Sequence, residues 1–227
     1  MGSVIGALLV PAAGVAFSPV PLIAAILMLF SPRPRANGVL FAAGFALGLL
    51  VLGAVVVALT GASGAGEDGS ASDAAYALRI VAGLILLWLA VRKARRAVAR
   101  DPGAAPDMPR WMASTGRLTP ARALGLGAAL GGANPKNIVF TLAAAATIAQ
   151  GGLTTGQEWL ALAVFVLAGS STTVLIVAYR LVAGARAAVR LERWKAWLAA
   201  NNDVVMGVLF ALFGVLLVGQ GIAGLTG

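Results

Sequence analysis

Long apolar stretches alternate with short polar or basic ones along the whole chain. The stretches at 4–30, 36–60, 75–91, 123–149, 159–181 and 204–225 are each long enough to cross a hydrocarbon layer of roughly 30 Å as a helix. The pattern therefore predicts an all-α integral membrane protein with six transmembrane helices. Two stretches are interrupted near their centres, the first by Ser18-Pro19-Val20-Pro21 and the fourth by Asn134-Pro135-Lys136-Asn137. A proline has no amide proton and biases its predecessor away from helix, so broken helices are expected in spans one and four.

The polar connections carry the orientation. Arg33 and Arg35 follow span one, a long basic connection at 92–122 follows span three, and Arg186, Arg190, Arg193 and Lys195 follow span five. The linker at 61–73 holds Glu67, Asp68 and Asp73 without a basic residue, and the loop at 150–158 has none either. This positive-inside bias places both termini outside the cytoplasm. The segment 184–202 reads as a helix lying in the interface, with Ala187, Leu191, Trp194 and Leu198 on one side, arginines on another, and Trp197 among the arginines. Trp111 and Met112 give the long connection an interfacial look. Gly44 with Gly48, and Gly127 with Gly131, stand at the small-xxx-small spacing that lets helices approach closely.

Composition agrees with the pattern and narrows the chemistry. Of 227 residues, 60% are hydrophobic and 11% charged, against roughly 25% charged in soluble domains. A single transmembrane domain, 1–227, accounts for the whole length. Cysteine and histidine are both absent. Thiol exchange is excluded, haem and transition-metal sites lose their usual ligands, and no metal or cofactor is expected. The net charge of +9 follows the membrane topology, so no nucleic-acid partner is called for.

Spans one to three and four to six run in opposite directions, which suggests two inverted three-helix repeats at about 4–91 and 123–225. The proline clusters fall in the first span of each half. Paired breaks at corresponding positions of an inverted repeat point to a midplane site in a transporter. Lys136 is the one basic residue set deep in a span, where a charge costs about 2.5–3.5 kcal/mol by insertion scales. As counter-charge to an anionic headgroup it would have amide donors beside it in Asn134 and Asn137, with Pro135 loosening the backbone. Ser18, Pro19 and Pro21 at the first break, and Ser170, Ser171, Thr172 and Thr173 within span five, would complete the lining. Plainer roles stand beside these. Lys136 could bind carbonyls released by Pro135 or snorkel to a surface, and the hydroxyls could bond to the preceding turn. No carboxylate lies deep in a span, so Asp203, at the start of span six, is the nearest candidate for coupling to protons.

Ser18-Pro19-Val20-Pro21, the run from Ala24 through Pro32, Gly44-Phe45 and Asn134-Pro135-Lys136-Asn137 together resemble the GAP family of sulfolipid- or peptidoglycolipid-addressing proteins. That family is grouped with the lysine-exporter (LysE) superfamily of small six-span transporters. The resemblance implies an exporter or flippase of an anionic glycolipid, phospholipid or lipid-linked envelope precursor in the cytoplasmic membrane of an actinobacterium. It also implies membrane lipids as partners, with a homo-oligomer or envelope-lipid biosynthesis proteins as further ones. Disulfide relay and metal transport, found in related branches, need the missing Cys and His. The alternative is an exporter of a small hydrophilic solute such as an amino acid or cation. An accessory subunit is a third reading. An enzyme using Ser18 as nucleophile and Lys136 as base has nothing but the repeat symmetry to position it, and no enzyme is expected.

Overall fold

The computed structural model describes residues 1–62, 70–99 and 119–226. Glu67 and Asp68, and most of the basic connection including Trp111 and Met112, lie outside the described residues. All the described elements are helices: α1 (Gly2–Ala16), α2 (Pro19–Leu29), α3 (Pro34–Ala62), α4 (Ser70–Ala99), α5 (Pro120–Gly132) and α6 (Pro135–Ala149). The run Thr155–Thr226 is broken at Gly184, whose φ of 55° and ψ of −133° suit a residue without a side chain. It is treated as α7 (Thr155–Gly184) and α8 (Arg186–Thr226).

By length and composition, α3, α7 and α8 each suffice to cross a membrane, and α1 with α2, bent by 59° at the break between them, suffice when taken together as one span. The chain is thus a multi-pass membrane protein. Prolines set the helix starts. Pro19 and Pro135 sit in the first turn, where a missing N–H is no loss, after extended Ser18 and Asn134. The helices α5 and α6, 13 and 15 residues long, are each too short to span alone.

One expectation needs correction. Segment 184–202 is not a separate interfacial helix followed by a new span, because α8 continues without a break from Arg186 to Thr226. Its apolar side meets protein first. Ala187 and Leu191 are fully buried in a cluster with Ile23–Leu29 of α2, Ala123 of α5, and Ile176 and Val177 of α7. Trp194, expected on that buried side, is half exposed.

A second cluster joins the remaining helices around Phe45, Leu86, Phe140, Phe165 and Phe213, with Phe140 edge-on to Phe213 at 5.2 Å between centroids. In lipid, helix association rests on close packing rather than on removal of apolar surface from water, so small residues mark the contacts. The glycine pairs show this. A Cβ on Gly44 would strike the Leu124 carbonyl, one on Gly48 the Ala128 carbonyl, and those on Gly127 and Gly131 the carbonyls of Phe41 and Phe45. The backbones of α3 and α5 therefore touch along both four-residue ridges. Gly83 of α4 and Gly214 of α8 meet in the same way.

The contrast with Gly125, whose Cβ would meet nothing within 4 Å, supplies a control. Gly44→Leu is expected to destabilise the protein by about 1–3 kcal/mol through overpacking. Gly125→Ala should instead be neutral or raise stability by about 0.5–1 kcal/mol. Thermal unfolding of the two variants in the same detergent checks this, and equal losses would contradict the backbone contact.

Candidate functional site

The site begins with backbone groups that lose their helical partners. In an unbroken helix the Gly14 carbonyl would accept from the Ser18 amide and the Val15 carbonyl from residue 19. The Ser18 amide instead donates to Ala16 O at 3.0 Å, and Pro19 has no amide proton. Two buried carbonyls are left over, and orphaned carbonyls away from water are costly. Lys136 supplies the missing donor. Its Nζ donates to the Gly14 carbonyl and reaches Val15 O at 3.4 Å; the residue is 4% exposed, and Nζ lies 5.5 Å from the centre of the Phe140 ring. Only a glycine fits at 14, because a Cβ there would strike that same ring. Thr172 Oγ1 donates to the Ala16 carbonyl at 2.6 Å.

The second break has the same form with a different donor. Leu130 and Gly131 stand before Pro135 as Gly14 and Val15 stand before Pro19. Their carbonyls both accept from Asn137 Nδ2, at 2.9 Å each. The Asn134 side chain caps α6 by accepting from the Lys136 amide at 3.2 Å. At the position matching Asn137, two residues after the proline, the first break has Pro21, whose side chain has no donor. The first break therefore borrows Lys136 from α6, and the two breaks are tied together through the first turn of that helix.

The other expected residues divide. Ser18, Pro19 and Pro21 are buried at the first break, and Ser18 makes no side-chain cap bond. Ser170 and Ser171 donate to Val166 O and Ala168 O of their own helix, each at 2.7 Å. Thr173 is buried, and of the run from Ser170 to Thr173 it is Thr172 that bonds to the break. Asp203 pairs with Lys93 at 2.5 Å, joining α8 to α4.

A groove of about 680 Å³ opens beside the first break. Phe17 and Leu22 flank it from the two sides of the break, α7 adds Thr172, Leu175, Ile176 and Tyr179, and α8 adds Trp194, Trp197 and Leu198. Its lining is almost wholly apolar, and the lining residues carry as polar groups the hydroxyls of Thr172 and Tyr179 and the indole N–H groups of Trp194 and Trp197. Sequence reasoning missed it, because its walls come from segments more than 150 residues apart. The Trp194 and Trp197 pair on an otherwise basic helix was the available signal.

The two breaks predict a rescue. Lys136→Met strands the Gly14 and Val15 carbonyls and should lower stability by on the order of 3 kcal/mol. Adding Pro21→Asn rebuilds at the first break the donor found at the second, and should return about 1–2 kcal/mol of that loss. A double-mutant cycle of unfolding in detergent measures the coupling, and simple additivity would contradict the equivalence of the breaks.

No curated protein and no solved structure matches the chain. The sequence profile of Sap, the sulfolipid-1-addressing protein, does match, over residues 8–223. That covers both breaks, the Lys136 brace and every wall of the groove, and so the chain belongs to the sulfolipid-1-addressing protein family.

Proposed function

We propose that this protein exports or flips an anionic lipid, a glycolipid, phospholipid or lipid-linked envelope precursor, across the bacterial cytoplasmic membrane. The observation that carries the reading is the open apolar groove ending at a broken helix. An acyl chain can occupy such a groove without losing apolar surroundings, whereas a hydrophilic solute would find few polar partners among the lining residues. Membership of a family named for addressing a sulfolipid supports the same substrate class. In this reading the chain is a transporter and not an enzyme, and it is akin to the lysine-exporter superfamily.

The proposed architecture is six spans in two inverted repeats, with α1–α2 and α5–α6 as the broken first span of each half and both termini outside the cytoplasm. The matching geometry of the breaks supports it, since both have an extended polar residue, a proline after it, and freed carbonyls four and five residues before that proline. The headgroup passes the first break while the chains stay in the groove and the surrounding lipid. Lys136 exchanges the Gly14 and Val15 carbonyls for headgroup oxygens, which releases the bend between α1 and α2. Asn134, Asn137 and Ser18 stand at the breaks themselves, and Thr172 bonds to the first break from α7, so these side chains, with the neighbouring hydroxyls from Ser170 to Thr173, add donors as the bend opens. Asp203, held by Lys93, is the candidate for coupling to protons. Envelope-lipid biosynthesis proteins, or a second copy, are the proposed partners.

Proteoliposomes containing the purified protein test this by the transfer of labelled anionic lipid between leaflets. Wild type is expected to transfer it, and Lys136→Met with Pro21→Asn is expected to be folded yet to lose transfer by at least about tenfold, the scale of one lost charge-assisted contact. Full transfer by the double variant would remove Lys136 from the transport path. Movement of an amino acid or cation in place of lipid would favour the small-solute exporter, and inactivity of wild type alone would favour an accessory role.

A further inference from the structure

The groove has a charged mouth that the transport path just described does not use. Arg190 of α8 is exposed, and its Nη1 donates to Tyr179 Oη at 3.3 Å. The Tyr179 ring is stacked on Trp194, with centroids 6.4 Å apart and planes 21° from parallel. Both rings line the groove. An exposed guanidinium therefore stands beside the apolar walls, bonded to one of the residues that line them.

We infer that Arg190 and the Tyr179 hydroxyl form the docking point for the oxyanion of the lipid headgroup, and so select anionic over neutral lipids before translocation. The inference rests on the lipid reading of the groove and adds to it where the headgroup is first held. Three observations support it. The guanidinium has five N–H donors and spends one on Tyr179, which leaves a fork able to grip a sulfate or phosphate ester through two oxygens. The Tyr179 hydroxyl accepts from Arg190 and keeps its own proton to donate to a third oxygen. Among the described residues the ion pairs join Lys93 to Asp203 and Lys195 to Glu192, so no carboxylate of this set neutralises Arg190. Lys136 is placed differently. It is enclosed and bonded to carbonyls, where an arriving lipid does not meet it first.

The position also fits the shape of an amphiphile. The walls run from Tyr179 and Trp194 towards Thr172 and Phe17 at the break, so a headgroup held at Arg190 leaves its chains lying along the groove towards the point of passage. Arg186 and Arg193 fall one helical turn to either side of Arg190 and strengthen the local positive field. Arg190 is exposed and outside both core clusters, so its replacement does not disturb the fold.

The test uses the full chain with Trp88, Trp111 and Trp159 changed to Phe, which leaves Trp194 and Trp197 as the fluorophores. The protein is placed in phosphatidylcholine nanodiscs doped with brominated-chain phosphatidylglycerol or, at equal fraction, brominated-chain phosphatidylcholine. Stronger quenching by the anionic lipid is expected, with a preference of about three- to tenfold, the scale of one charge-assisted contact at an exposed site. Arg190→Gln and Tyr179→Phe should each reduce that preference while both lipids still quench. An unchanged preference in Arg190→Gln, with quenching intact, overturns the docking point and leaves the lipid groove standing. Quenching by neither lipid above that of a detergent-exposed tryptophan overturns the groove reading itself. Persistence of the preference in excess inorganic phosphate assigns the site to a lipid-borne oxyanion. Its loss assigns the site to the free anion and overturns the docking role.

Discussion

Every main-chain carbonyl freed inside a membrane must find a donor, and the centre of this protein is arranged around meeting that demand twice. Pro19 and Pro135 each remove an amide in the middle of an apolar stretch; the missing amide strands the carbonyl four residues before the proline, and the break in the helix strands the one before that. The second break answers locally through Asn137. The first has Pro21 where an asparagine would serve and takes its donor from Lys136. One helical turn, Pro135 to Ile138, thus holds both breaks. The burial of Lys136 is explained by its acceptors, its proximity to the Phe140 ring, and a glycine at 14 that leaves room for that ring.

Around that centre the helices are held by contact between backbones. Without a gain from leaving water, a bulky apolar residue facing lipid and the same residue facing protein differ little, and close approach decides which helices associate. The glycines of α3, α5, α4 and α8 let carbonyls of one helix lie against the next. The helix α2, by contrast, is apolar all round and buried from Ile23 to Leu29. The first half of α8 packs against it and forms one wall of the groove. A bend of 59° lies beside the open groove, and the proposed export of an anionic lipid uses both.

Much of this was legible in local pattern. Hydropathy marked the chain as a membrane protein, the prolines located both breaks to the residue, and the glycine spacing identified the ridges of α3 and α5. The plainer reading of Ser170 and Ser171, as hydroxyls bonding to the preceding turn, describes both residues. The continuity of α8 was not legible. Arginines and tryptophans read as a surface helix followed by a new span, whereas a helix persists wherever its backbone bonds continue and one side finds apolar partners, as Ala187 and Leu191 do on α2 and α7.

The sequence by itself determined that the Val15 and Gly131 carbonyls would lose their helical donors, because an amide deleted by proline is a fact about one residue and its turn. It also determined which segments are apolar enough to leave water. Only the tertiary structure decided where replacement donors come from, because Lys136 reaches a carbonyl 122 residues away only once α6 packs against α1. The groove is of the same kind, with walls from α1, α2, α7 and α8 that no local window contains. Its shape depends on how four helices cross, and crossing is settled by side-chain and backbone contact between elements rather than by the order of residues within any one of them.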